Sequence, residues 1–205
     1  MIEFFIGPFL IWLPKIFFAT VFLTAMLFYL YKRRPTSFKD VRHLEWLLVN
    51  ITITFRLLYA ATLTVGQYYT WSVNKFTKLL LPPHQSVKYF LLYSWTHFWF
   101  NVVISAALAA VFYLFLRLLK KRKERFFEEG EVELGFLCAL LAGWPNFVIF
   151  LPAVFIFVII ISLFRMAVFK EAYTTLGLPF LLATLVSLMA GGWLIDTLGL
   201  GMLRI

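Results

Sequence analysis

Four glutamates stand close together in a chain poor in acids: Glu128, Glu129, Glu131 and Glu133, directly after the basic run Lys120-Lys121-Arg122-Lys123-Glu124-Arg125. Carboxyl groups do general acid and base work, and their readiness for it depends on the solvent around them. Behind Glu133 the chain is apolar only from Leu134 to Trp144, a helical rise of about 16 Å against a bilayer core of roughly 30 Å. A helix there must recruit the residues before it, which draws Glu131 and Glu133 to the membrane edge. Low dielectric at that place raises a carboxyl pKa and makes the group a site candidate. The plainer reading is that these acids neutralise the preceding Lys and Arg and sit favourably at a helix N-terminus. Other polar residues fall within or beside apolar runs. Arg56 lies near the middle of one, where it either pairs with Glu131 or Glu133 across a bundle or snorkels to the interface. Lys15 and His97 read as locally satisfied interfacial groups rather than ligands, and Cys138, the single cysteine, excludes an internal disulfide and a cysteine metal cluster.

The elements that position these residues are membrane helices. A hydrophobic fraction of 62%, a charged fraction of 14% and a mean hydropathy of +0.88 leave too little polar surface to cover a soluble globule. The 25 phenylalanines follow no recurring spacing and read as lipid-facing bulk. Apolar runs of spanning length lie at 8–31, about 46–66, 87–118, 147–164 and 178–195, and 131–144 makes a sixth span if it takes in the glutamates. The first run begins after an acid, Glu3, with no small-residue cleavage pattern behind it, so it is expected to be a retained helix rather than a signal peptide. The stretch 67–85 carries Tyr68, Tyr69, Trp71 and Pro82-Pro83, which suits an interfacial loop or the start of a further span. The formal charge of +9 is gathered in 32–45, 117–131 and 165–175. The positive-inside rule places all three on the cytoplasmic face and both termini outside. The expected fold is all-α: one integral membrane domain over residues 1–205, a polytopic transmembrane helical bundle of about six spans in the cell membrane. Its partner is the lipid bilayer, with anionic headgroups rather than nucleic acid as the counter-charge, and no metal or cofactor is expected.

The order of spans, the basic loop, Glu128-Glu129-Gly130-Glu131-Val132-Glu133-Leu134 and the Ala-Leu-Leu-Ala-Gly-Trp run ending at Trp144 together resemble the prepilin peptidase (type IV leader peptidase) family around its Gly-x-Gly-Asp motif. Leu178-Pro179-Phe180-Leu181-Leu182-Ala183 is similar to the Pro-Phe-Gly-Pro-Phe-Leu-Ala pattern that opens the family's last span. The likeness covers roughly the C-terminal half. It implies two carboxylates at the cytoplasmic membrane face that share a proton, one acting as base on water and the other as acid. It also implies type IV pilin-like precursors as substrates. The family's motif aspartate falls on Glu131, its first glycine on Glu128 and its lysine on Glu133; Gly130 alone stands as the family has it.

For the family's first aspartate two registers compete. Asp40-Val41-Arg42-His43 keeps the acid and precedes the second span. Gln67 to Thr77 keeps some of the later pattern, Val73-Asn74 and Phe76-Thr77, but has no acid. We take Asp40; Asp196, the other aspartate, lies at the opposite end of the last helix. The catalytic pair implied by the resemblance is therefore Asp40 and Glu131, an aspartic endopeptidase centre altered by one methylene. The expected function is that of a divergent prepilin-peptidase-like protein, with its leader-cleaving activity kept, lost or changed. The alternative is a non-enzymatic scaffold or subunit of a membrane complex. A transporter would show polar midplane sites in both halves, and here only Arg56 points that way.

Overall fold

The structure is a computed structural model that describes residues 2–32, 39–122, 127–170 and 175–203, leaving aside the side chains of residues 2–9, 32, 39–42 and 169. Among the described residues there are helices and turns and no strand. The long helices are α1 (Ile2–Lys32), α2 (Lys39–Val73), α4 (Phe100–Arg122), α6 (Phe147–Phe169) and α7 (Gly177–Thr197), with two shorter ones, α3 (Val87–Ser94) and α5 (Glu131–Ala142). A π-helical turn, Trp95–Trp99, joins α3 to α4, so 87–122 runs as one continuous helical segment.

Five segments are long and apolar enough to cross a membrane: Leu10–Tyr31, His43–Val73, Val87–Arg122, Phe147–Val168 and Gly177–Thr197. The protein is a multi-pass membrane protein built as an all-α bundle. Large apolar side chains such as Leu27, Val65, Ile159 and Met189 are exposed on its outside, a surface that only lipid can solvate. The expected sixth span, α5, has 12 residues and rises about 18 Å, so it does not cross the core by itself. As the short apolar run requires, it does take in Glu131 and Glu133. The stretch at 67–85 divides: residues up to Val73 extend α2, and the remainder is a connection with a short 3-10 turn at Thr77–Leu80. Trp71, Leu81 and Phe90 close a small separate core there.

Helix α5 is the centre of the bundle. Ten of its twelve residues are buried, and Leu134, Leu137, Cys138, Ala139, Leu140 and Leu141 join one core with α1, α2, α4, α6 and α7. Its small residues let neighbours approach closely, the packing that holds helices together where lipid removes the hydrophobic drive. Around it Phe112 meets Phe150 and Phe180 edge-on at centroid distances of 5.7 and 5.9 Å. At the far end of α5 the Trp144 N–H donates to Ser105 Oγ at 2.8 Å and its indole N–H donates to the Leu203 carbonyl at 2.9 Å. That second bond folds the C-terminal turn back over the α5–α6 corner.

Helix α2 explains how the site is assembled. Glu45, Leu48, Val49 and Thr52 are buried while Leu47, Ile51 and Leu58 are exposed, the stripe that a 3.6-residue period predicts for a helix with one face inward and one in lipid. Arg56 continues the inward stripe. A carboxylate and a guanidinium therefore face the bundle about 16 Å apart on one helix, and both meet α5.

Candidate functional site: two buried glutamates at the basic end

The first meeting is at the start of α5. Gly130 is left-handed, with φ +85°, which L side chains adopt only with strain. The Glu45 carboxyl lies against it: a Cβ built on Gly130 would stand 2.6 Å from Glu45 Oε2 and 2.9 Å from Oε1. The positive φ is what demands glycine here; the Glu45 carboxyl that a Cβ would meet is the movable end of a flexible side chain. Glu45 is 6% exposed and Glu131, the residue after Gly130, is 1% exposed.

Glu131 is held by backbone. Its Oε1 accepts the Gly177 N–H at 2.7 Å and its Oε2 accepts the Glu128 N–H at 3.0 Å. Gly177 is the first residue of α7, so the carboxyl rests on the positive end of that helix, where amides have no helical acceptor of their own. Burial pushes the Glu131 carboxyl above the ordinary range, and the bonds from Gly177 and Glu128 pull it back only in part. Gly177 in turn packs against the Tyr29 ring near the end of α1, and the Tyr29 and Thr175 hydroxyls lie 3.4 Å apart. The ends of α1, α2, α5 and α7 converge on this place. Glu128 and Glu129 are exposed beside it and Glu133 is half-buried.

The residues foreseen in the sequence divide accordingly. Glu131 lies in the bundle interior. Asp40 lies in the first turn of α2, but its side chain is outside the described residues. The acid that reaches the α5 start is Glu45, which sequence reasoning missed. Its signal was a carboxylate on the same helical stripe as Leu48, Val49 and Thr52.

Arg56 meets the other end of α5. Its Nη2 donates to the Leu140 carbonyl at 2.6 Å and its guanidinium lies 4.7 Å from the centre of the Phe18 ring. It also packs against Gly143, which has φ +57° and leaves no room for a Cβ. Of the two readings of Arg56, pairing with Glu131 or Glu133 is replaced by this contact, because those acids belong to the opposite end of α5. A cation at a helix C-terminus satisfies both a terminal carbonyl and the helix dipole. His97 is locally satisfied, its Nδ1 lying 3.0 Å from both the Tyr93 carbonyl and Thr96 Oγ1. Lys15 rests 4.8 Å over the Trp12 ring. Among the described residues no three His, Cys, Asp or Glu side chains gather to hold a metal ion.

What the basic end can do chemically is hold a proton on the buried Glu131 carboxyl, with the buried Glu45 carboxyl lying against the glycine that precedes it. Comparison with protein-family models, curated proteins and solved structures returns no match for this chain.

Proposed function

We propose that this protein is a divergent prepilin-peptidase-like membrane protein whose reactive centre is Glu45 with Glu131, acting on the leader peptides of type IV pilin-like precursors at the cytoplasmic face of the cell membrane. The observation that carries the reading is the burial of two carboxyl groups at one end of the bundle, one lying against Gly130 and the other on the residue that follows it. In this reading the ionised carboxylate takes a proton from water as the water oxygen adds to the scissile carbonyl carbon. The protonated carboxyl donates to the carbonyl oxygen, and a proton passes to the departing amine as the C–N bond breaks. The exposed Glu128 and Glu129 beside the site suit the cations of a basic leader.

The second reading, a non-enzymatic scaffold, is favoured by a specific observation: both Glu131 oxygens already accept backbone N–H groups and so clasp α5 to α7. Purified protein in liposomes with a type IV pilin-like precursor separates the two. The first reading expects cleavage by the wild type and none by folded Glu45→Gln or Glu131→Gln, since an amide cannot relay the proton. Loss on Asp40→Asn with retention on Glu45→Gln would move the partner acid to Asp40. An intact precursor after incubation with folded wild type would hand the site to the scaffold reading.

A further inference from the structure

Away from the carboxylates the bundle holds a cavity of about 160 Å³ bounded by α1, α2 and the helix that follows the π-helical turn. Phe18, Phe55 and Phe98 supply ring walls, and Arg56, His97 and Asn101 supply its polar groups. The space equals about five waters at roughly 30 Å³ each, enough for a small organic acid. Two of the polar groups are unsatisfied: Arg56 Nε and Asn101 Oδ1 are buried and have no hydrogen-bond partner. No carboxylate among the described residues pairs with Arg56, whose hydrogen bond goes to the Leu140 carbonyl and whose guanidinium lies by the Phe18 ring. A cation in a membrane interior without a counter-charge is costly, and such residues face a partner or water.

The backbone beside the cavity is also unusual. The Phe100 N–H bonds the Trp95 carbonyl five residues back, a widened turn that occurs frequently at functional sites. Here it carries His97 and Phe98, with Asn101 one turn further on.

We propose that this cavity binds the carboxylate group of a small or lipid-derived acid, with Arg56 as its cation, Asn101 as its second polar contact and the phenylalanine rings over its first methylenes. One guanidinium balances a monoanion and not a dianion, and its planar fork matches a carboxylate. The Asn101 amide offers N–H to an anion by turning over. The site lies about 16 Å along α2 from Glu45 and does not depend on the peptidase reading.

The test is thermal unfolding of the full-length protein, in micelles with butyrate or butylammonium and in nanodiscs with or without myristate. A ligand at ten times its Kd raises Tm by about 3–5 °C for a chain of this size. Butyrate is expected to do so and butylammonium not. A shift with myristate alone assigns the carboxylate to a lipid-derived acid, and a shift with butyrate to a free one. Arg56 also holds the end of α5, so the diagnostic variant is Asn101→Leu, which removes the amide contact and leaves the Arg56–Leu140 bond in place; it should lose the shift. If that variant fails to fold, Leu63→Trp, which fills the cavity from another wall, is read the same way. No shift with either acid, an equal shift with butylammonium, or a full shift in the folded variant overturns the proposal.

Discussion

Gly130→Ala should be among the most damaging single-methyl additions in this chain, and the structure divides its effect into two parts. The first is backbone: a residue with a Cβ at φ +85° is destabilised by about 1–2 kcal/mol. The second is contact: the new methyl would stand 2.6 and 2.9 Å from the Glu45 oxygens, the movable end of a flexible side chain, and turning that buried end aside costs about 1 kcal/mol. Gly199→Ala isolates the first part, because Gly199 has φ +69° and nothing within 4 Å of a built Cβ. Equilibrium unfolding in mixed micelles should show a loss of about 1–2 kcal/mol for Gly199→Ala and about 2–3 for Gly130→Ala. Adding Glu45→Ala removes the obstruction, so Gly130→Ala/Glu45→Ala should lose at least about 1 kcal/mol less than the two single losses combined. Equal losses at the two glycines, or additivity within about 0.5 kcal/mol, would refute the close approach of Glu45 to the start of α5.

Three further outcomes follow from the ends of α5. Glu131→Ala leaves the N–H groups of Gly177 and Glu128 without their acceptor and should destabilise by about 2–4 kcal/mol, with Glu131→Gln losing less because one oxygen remains; equal stability of Glu131→Ala and wild type would remove the clasp. Arg56→Met should destabilise by about 1–3 kcal/mol through the unpaired Leu140 carbonyl, and Gly143→Ala should do likewise by meeting the guanidinium; a neutral result for both would count against Arg56 as the C-terminal partner of α5. In a Cys138→Ser background, cysteine at position 129 should react rapidly with a polar maleimide and cysteine at 131 slowly, since Glu129 is exposed and Glu131 is 1% exposed; equal rates would contradict the burial.

Hydropathy made the spanning helices legible, because a bilayer demands a run of fixed length and little else. The shortness of the run from Leu134 to Trp144 also made the burial of Glu131 legible: a helix so short has to begin among the acids. What could not be read was the acid that α2 brings to it. Glu45 lies on the same stripe of α2 as Leu48, Val49 and Thr52, and whether that stripe faces inward depends on how α2 is turned against α5. That rotation is set by Leu48, Val49 and Thr52 packing on a neighbour that lies far away in sequence. Arg56 shares this stripe, so its pairing with a carbonyl at the opposite end of α5 from the acids was equally hidden. Gly130 was visible as a retained motif residue, yet the physical need for it, a positive φ, appears only in three dimensions.

The central proposal is that Glu45 and Glu131 act as one reactive pair, and their titration tests it most directly. Infrared difference spectra of the purified protein in lipid, recorded against pH, follow the carbonyl band of a protonated carboxyl. Burial holds the Glu131 proton above the ordinary carboxylate range, so the band should persist in wild type as pH rises past that range and should be absent from Glu131→Gln. Replacing a neighbouring carboxylate by a neutral amide removes a like charge and eases ionisation. Glu45→Gln is therefore predicted to move the midpoint of the remaining band to lower pH. A midpoint that stays where it is in Glu45→Gln would show that the two carboxyls titrate independently, and would contradict the pair.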